Sequence, residues 1–251
     1  MAIDPKQIIK NVSYDQTEIL HNIGMIYNNG SEQYDCDITA SKLGFYNGRR
    51  GEYHIPTPKF LFDVYPQVEG VVQIEKWGKI PMVDNYIKSI VIDLPFVISP
   101  ANAPSATTEI KEGSSRIFKR FSGYYPVDNL YYSYYHWLKE AYRVLDEGGI
   151  CIFKCQSQIS GGVRHNIEEF STIAAESLGF KAVDKFVLLA KQRLISANRY
   201  KSEQKHSRNF TSVFLVFKKD NKVRSKEKSC AEWLEMCKVA DNENYVNVVE
   251  K

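Results

Sequence analysis

A chain of 251 residues with 43% apolar and 25% charged side chains has the make-up of a folded globular protein. That excludes a disordered chain, a collagen-like repeat and a coiled coil. At roughly 150 residues per domain it holds one or two domains, and it is long enough to fold without a disulfide or metal staple. Its net charge of +3, from 33 basic and 30 acidic residues, neither demands nor excludes a polyanionic partner.

The opening stretch, MAIDPKQIIKNVSYDQ, lacks the apolar centre of a signal peptide. The longest apolar run, residues 87–98, is interrupted by Lys88 and Asp93 and falls short of the ~20 residues a membrane-spanning helix requires. The five cysteines, at 36, 151, 155, 230 and 237, form no CxxC pair. They are expected to be free buried thiols of a reducing cytoplasm, and their spacing disfavours a zinc site.

In chain order, residues 15–27 predict a helix with Ile19, Ile23 and Ile26 on one face, ended by Asn28, Asn29 and Gly30. Residues 32–39 predict a short strand, and a Gly-, Arg- and Pro-containing loop fills 40–58. KFLFDVYP (59–66) and GVVQIE (70–75) predict the second and third strands. IKSIVIDLPFVI (87–98) is the strongest strand signal, a near-continuous apolar run suited to a central position covered on both faces. Residues 99–125 look irregular, and a loop of that length in a compact domain is usually functional. Asp128 is placed to cap a long helix whose stripe is Leu130, Tyr134, Leu138, Ala141 and Leu145, stopped by Gly148 and Gly149. A fifth strand (149–155), a helix burying Ile167, Phe170, Ala174 and Leu178, a sixth strand (181–190) and a seventh (211–217) complete the pattern.

Strands alternating with helices predict an α/β fold with a mostly parallel sheet, and two closing strands joined by a loop alone predict one antiparallel strand at the end. The expected organisation is a single domain over 1–218 with a helical lead-in to about residue 30. A C-terminal basic stretch and short helix around AEWLEMCKV follow over 219–251.

In such sheets ligands bind at the carboxyl ends of the strands. Acids end four consecutive predicted strands: Asp35 and Asp37 (with Thr39), Asp63, Glu75 and Asp93. A carboxylate there can accept from ribose hydroxyls or an amine, though strand-end acids can also merely solvate loops. The fifth strand ends in Lys154-Cys155-Gln156, and Gln156, Ser157, Gln158, Gly161 and Gly162 are candidates to line a pocket. Between the last two strands lie Lys191, Arg193, Arg199, Lys201, Lys205 and Arg208, with His206 among them. That basic stretch reads as a contact for a nucleic-acid backbone or as a solvated loop. The aromatic series from Tyr131 to Trp137 reads as core-facing helix residues ahead of a stacking platform.

Asp93-Leu94-Pro95-Phe96 resembles the Asp-Pro-Pro-aromatic tetrapeptide of the class I S-adenosylmethionine-dependent amino-methyltransferases, the N6-adenine and N4-cytosine DNA methylases. Leu94 stands where that family usually has its first proline. WLKEAYRVLDEGGICIFKC (137–155) resembles the family's helix-strand unit, and Ile80-Pro81-Met82-Val83-Asp84 resembles the segment preceding its catalytic strand. The resemblance spans about 30–218. It implies a Rossmann-like fold with a seven-stranded, mostly parallel sheet, an antiparallel last strand and helices on both faces. It also implies S-adenosyl-L-methionine as cofactor and DNA, or RNA in the same pocket, as substrate. Asp93, Leu94, Pro95 and Phe96 would receive the target base. Asp35, Asp37, Thr39, Asp63 and Glu75 would face the cofactor, with Asp63 at its ribose and Glu75 at its adenine. The family's Gly-rich turn is absent, Gly44-Phe45-Tyr46 occupying its place. The alternative is a catalytically inactive, nucleic-acid-binding module of the same fold.

Overall fold

The computed structural model describes residues 8–46, 53–98, 127–191 and 206–220. The predicted loop 99–125, the tail beyond residue 220 with its Cys230 and Cys237, and the Asp128 side chain lie outside them.

Ten strands and three helices are described. They are β1 (Val12–Ser13), α1 (Gln16–Tyr27), β2 (Cys36–Asp37), β3 (Phe60–Asp63), β4 (Val72–Gln73) and β5 (Ile87–Ile92). After them come α2 (Val127–Val144), β6 (Leu145–Cys155), β7 (Gln158–Ser160), β8 (Val163–His165), α3 (Ile167–Ser177), β9 (Phe180–Leu189) and β10 (Thr211–Lys219). Eight strands form one sheet in the order β1-β9-β10-β6-β5-β2-β3-β4. Strand β10 runs antiparallel to both β6 and β9, and the other pairings are parallel. From β4 to β9 this is the strand order of the Rossmann-like class I methyltransferase fold, with its single inserted antiparallel strand. The eighth strand is an addition the sequence reading did not include: β1 pairs parallel with the outer edge of β9.

Strand alternation divides the core. Ile90, Ile92, Cys151, Phe153, Val213 and Leu215 pack with α2 and α3 on one face. Val91, Ile150, Ile152, Phe214 and Val216 pack with α1 on the other. Both faces are thereby covered, which is why the central strands read as continuous apolar runs.

Several boundaries differ from expectation. In α1 the buried stripe is Ile19, Leu20 and Ile23, while Ile26 is exposed. The α1 N-cap is Asp15, whose carboxylate accepts from the Thr17 N–H at 2.8 Å. Helix α2 stops at Val144 and not at Gly148, because Leu145 already pairs with Ile87. The Lys219 ammonium holds that junction, donating to the Tyr142 and Leu145 carbonyls at 2.7 Å each. Gly148, at φ 73°, makes the irregularity within β6 instead. Gln158–His165 forms a separate hairpin turned by Gly161 and Gly162, at φ 60° and 82°. No described helix is long and apolar enough to cross a membrane.

Candidate active site

From β2 the chain moves outward to β3 and β4, then returns to the other side of β2 as β5. The carboxyl ends of β2 and β5 therefore flank the point where the strand order reverses, the usual position of a ligand crevice in such sheets. Asp37 ends β2 and Asp93 follows β5.

Asp37 is fully buried. One carboxylate oxygen accepts from the Thr39 N–H at 2.7 Å and the Thr39 hydroxyl at 2.9 Å, and the other from the Tyr46 hydroxyl at 2.8 Å. Burial pushes its pKa up to about 7 despite these three donors, with Asp63 adding like charge. Thr39 in turn accepts from the Asp93 N–H at 2.8 Å. A continuous hydrogen-bonded chain thus runs from Tyr46 through Asp37 and Thr39 to the Asp93 backbone.

The Asp93 carboxylate meets the Lys154 ammonium at 2.9 Å. Beyond it, Leu94 and Pro95 are buried and Phe96 is half-buried. The Pro95 carbonyl takes a long hydrogen bond, 3.5 Å, from the Tyr134 hydroxyl of α2, and the Phe96 carbonyl accepts from the Gln158 amide of β7. These contacts, with the burial of Leu94, hold the loop where the first proline of the tetrapeptide is missing.

Asp63 lies at the carboxyl end of β3 and is buried. Its two oxygens accept from the Ser41 and Tyr65 N–H groups at 2.9 and 2.6 Å. Burial outweighs those donors and raises its pKa. The β2–β3 loop begins with non-glycine residues in the left-handed region, Ser41 at φ 43° and Leu43 at φ 58°. This segment thus adopts, without glycine, the kind of backbone a Gly-rich turn would give, at a cost of roughly 1–3 kcal/mol per residue.

One predicted residue stands apart. Asp35 precedes β2, at the opposite end from Asp37. Its carboxylate accepts from Lys59 at 2.6 Å and from the Lys88 and Ser89 N–H groups at 2.8 and 3.2 Å. Burial acts to raise its pKa, but these donors prevail and hold it below the ordinary value. Asp35 is thereby a tie between β2, β3 and β5, away from the strands' carboxyl ends. Glu75 lies past the end of β4 with its side chain exposed.

Of the basic series, Arg193, Arg199, Lys201 and Lys205 lie outside the described residues. Lys191 is exposed with its ammonium 5.6 Å from the Tyr14 ring centroid, and Arg208 is half-buried. In the aromatic series Tyr134 and Trp137 are core residues, while Tyr132 and Tyr135 are exposed. Tyr132 packs edge-on against Trp77, their centroids 5.0 Å apart. Gln156 is buried, its amide donating to the Thr211 carbonyl, and Gly161 and Gly162 form the β7–β8 turn. Among the described residues no cluster of three or more metal-ligating side chains exists, and Cys36, Cys151 and Cys155 are free and buried.

Lys154 is the residue that sequence reasoning left unassigned. Ile150 and Ile152 precede it on the same face of β6, so alternation alone marks position 154 as inward-facing. A lysine at such a position is the signal, since buried lysines are rare unless paired.

No protein-family model matches the chain, and no curated protein matches it in sequence. Solved structures do show likeness. A candidate DNA modification methylase of Thermus thermophilus, complexed with S-adenosyl-L-methionine, is 11% identical over 56% of this chain and 49% of that one, with a TM-score of 0.33. The match thus spans about half the length of the Thermus protein. A chain from the complex of the Haloferax volcanii Trm112 methyltransferase activator with a candidate methyltransferase is 11% identical, with a TM-score of 0.42 over 76% and 83% of the two chains. TYW2 of M. jannaschii, in complex with AdoMet, is 10% identical, with a TM-score of 0.36 over 86% and 79%. Likeness this low assigns neither substrate nor site residues.

Proposed function

We propose that this protein is an S-adenosylmethionine-dependent methyltransferase that modifies an exocyclic base amine, adenine N6 in DNA. The observation that carries the reading is the hydrogen-bonded chain Tyr46–Asp37–Thr39–Asp93 across the point of strand reversal, with Asp93-Leu94-Pro95-Phe96 as its outer end. The residues fit the cofactor. Each oxygen of the Asp63 carboxylate uses one acceptor site on an N–H and retains a second for a ribose hydroxyl. The turned backbone at Ser41 and Leu43 supplies a close approach beside it. Asp63 and the loop 38–46 would hold the cofactor, which supplies an electrophilic methyl group on a sulfonium.

The chain's own groups act on the other reactant. An exocyclic amine is a poor nucleophile because its lone pair is delocalised into the ring. The Asp93 carboxylate and the Leu94 carbonyl accept its two hydrogens, favouring a pyramidal nitrogen whose lone pair can attack. Pro95 brings no competing N–H. Phe96 stacks on the extruded base. Transfer would break the sulfonium's S–CH3 bond as the N–C bond forms, leaving a neutral thioether, and the Asp93 carboxylate would take the nitrogen's extra proton and pass it to water. Lys191, Arg193, Arg199, Lys201, Lys205 and Arg208 contact phosphates and so position the nucleic acid without reading its sequence.

Tritiated methyl transfer to DNA and RNA pools, followed by nucleoside analysis, tests the reading. Label in N6-methyladenine from DNA is the expected result, and Asp93→Ala should abolish it while cofactor affinity stays within about threefold, since Asp93 faces the amine. Label in RNA alone would move the substrate class. Nucleic-acid binding without transfer would leave a binding module.

A further inference from the structure

Lys154 ends the run Ile150, Ile152, Lys154 that faces the α1 side of the sheet, and it is only 8% exposed. Its ammonium lies 5.1 and 5.5 Å from the ring centroids of Phe45 and Phe214. Phe214 is its register partner on β10. Phe45 comes from the β2–β3 loop that also carries Thr39 and Ser41. The salt-bridge partner of this buried cation is the Asp93 carboxylate, 2.9 Å away. A lysine is costly to bury, and an aliphatic side chain would satisfy the same packing. What the lysine adds is a fixed donor to one oxygen of Asp93.

We infer that Lys154 is a positioning residue for amine methylation: by engaging one oxygen of Asp93, it turns the carboxylate so that the other oxygen faces the substrate amine. This inference rests on the proposed methyltransferase activity. Asp93 is held at two points. Its N–H is fixed by Thr39 at 2.8 Å and its Oδ2 by Lys154 at 2.9 Å, on opposite sides of the Cα–Cβ bond that would otherwise rotate. One oxygen remains to accept one amine hydrogen, which is all the chemistry asks of the side chain when the Leu94 carbonyl takes the second. The two aromatic rings hold the ammonium against withdrawal toward solvent. The amine then meets an acceptor already aimed, and none of the reaction barrier goes into orienting it.

The test is single-turnover methyl transfer by the full chain at saturating cofactor, with cofactor affinity measured separately by calorimetry. Lys154→Met keeps the stem between Phe45 and Phe214 and removes the donor. Its transfer rate should fall by about 100-fold, the usual consequence of a misplaced catalytic group, with cofactor affinity within about threefold of wild type. Lys154→Arg keeps a cation and should recover most of the rate, and Lys154→Gln, with an uncharged N–H donor, should fall between them. The double variant Lys154→Met with Asp93→Asn should be no slower than Asp93→Asn alone, because Lys154 acts only through that carboxylate. An active wild type whose Met, Gln and Arg variants all transfer at the wild-type rate would overturn the role of Lys154 and leave the methyltransferase reading intact. Multiplying losses in the double variant, or a loss confined to cofactor affinity and melting temperature, would do the same. A wild type inactive on every nucleic-acid pool would overturn both. If Met at this site costs the fold, the Gln and Arg variants, checked by circular dichroism, carry the comparison.

Discussion

Replacing Asp37 by asparagine tests the buried end of the hydrogen-bonded chain. The substitution is nearly isosteric. The Asn carbonyl can keep both bonds from Thr39, and its amide can donate to the Tyr46 hydroxyl, reversing one bond without losing it. What disappears is the titration. Burial raises the Asp37 pKa from 3.8 to about 7, so the folded protein binds a proton there that the unfolded chain has already released. For a raised acid, the associated stability is fully present below about pH 4 and is lost as pH rises through about 7. Between pH 5 and pH 8 that loss is about 3 kcal/mol, from two units of the shift at ~1.4 kcal/mol each. Other carboxylates contribute slopes of their own, Asp35 and Glu140 with the opposite sign because their pKa values are lowered. The informative quantity is therefore the difference between wild type and Asp37→Asn. Urea unfolding of both proteins at pH 5 and pH 8 should show the wild type losing about 3 kcal/mol more than the variant over that interval. Parallel losses would mean that Asp37 is ionised throughout and that water reaches it.

Two other outcomes follow from the same reasoning. Arg143→Met should destabilise the fold by about 3–5 kcal/mol in urea unfolding without a specific effect on cofactor affinity, because it leaves the Glu140 carboxylate, only 9% exposed, without its counter-charge. Replacing Lys201, Lys205 and Arg208 together by alanine should weaken DNA binding across all sequences and flatten the log–log salt slope by up to about three units. An unchanged slope in a filter-binding titration would remove these side chains from the phosphate contact.

The central strands were legible because they are covered on both faces, so their apolar runs are nearly unbroken. Their mostly parallel arrangement and the one antiparallel strand at the end followed from the succession of elements and the loop-only link between the last two. The short outer pieces were not legible. Strand β1 is two residues long, with Val12 exposed, and no periodicity can be read from it. The β7–β8 hairpin did leave a signal, since a two-residue Gly-Gly turn between β-prone pairs is a hairpin mark. Its polar residues read instead as pocket lining. The α2–β6 boundary was misplaced because Leu145 satisfies the helical stripe and the sheet equally well, and only the ladder to Ile87 decides between them.

The candidate site shows a sharper limit. Asp37, Asp63 and Asp93 were legible as strand-end acids, but Asp35, two positions before Asp37, carries the same sequence signal and serves a different purpose. Strand β2 is only two residues long, so Asp35 falls just before its start while Asp37 ends it. Lys154 is 61 residues from Asp93, and their meeting depends on the β5–β6 register, which no local pattern encodes. The two further family-like segments lie apart from Asp93–Phe96. Ile80–Asp84 and Glu140-Ala-Tyr-Arg143 grip one another: the Arg143 guanidinium donates to the Ile80 and Met82 carbonyls at 2.9 and 2.7 Å and to the Asp84 carboxylate at 2.8 Å. Glu140 accepts from the same guanidinium and from the Ile80 N–H. Burial would raise the Glu140 pKa, but those donors hold it below the ordinary value. This clamp fixes α2 against the segment leading into β5, and α2 carries the Tyr134 hydroxyl that reaches the Pro95 carbonyl. What this residue pattern specifies is therefore the placement of the helix on which the Asp93–Phe96 loop leans.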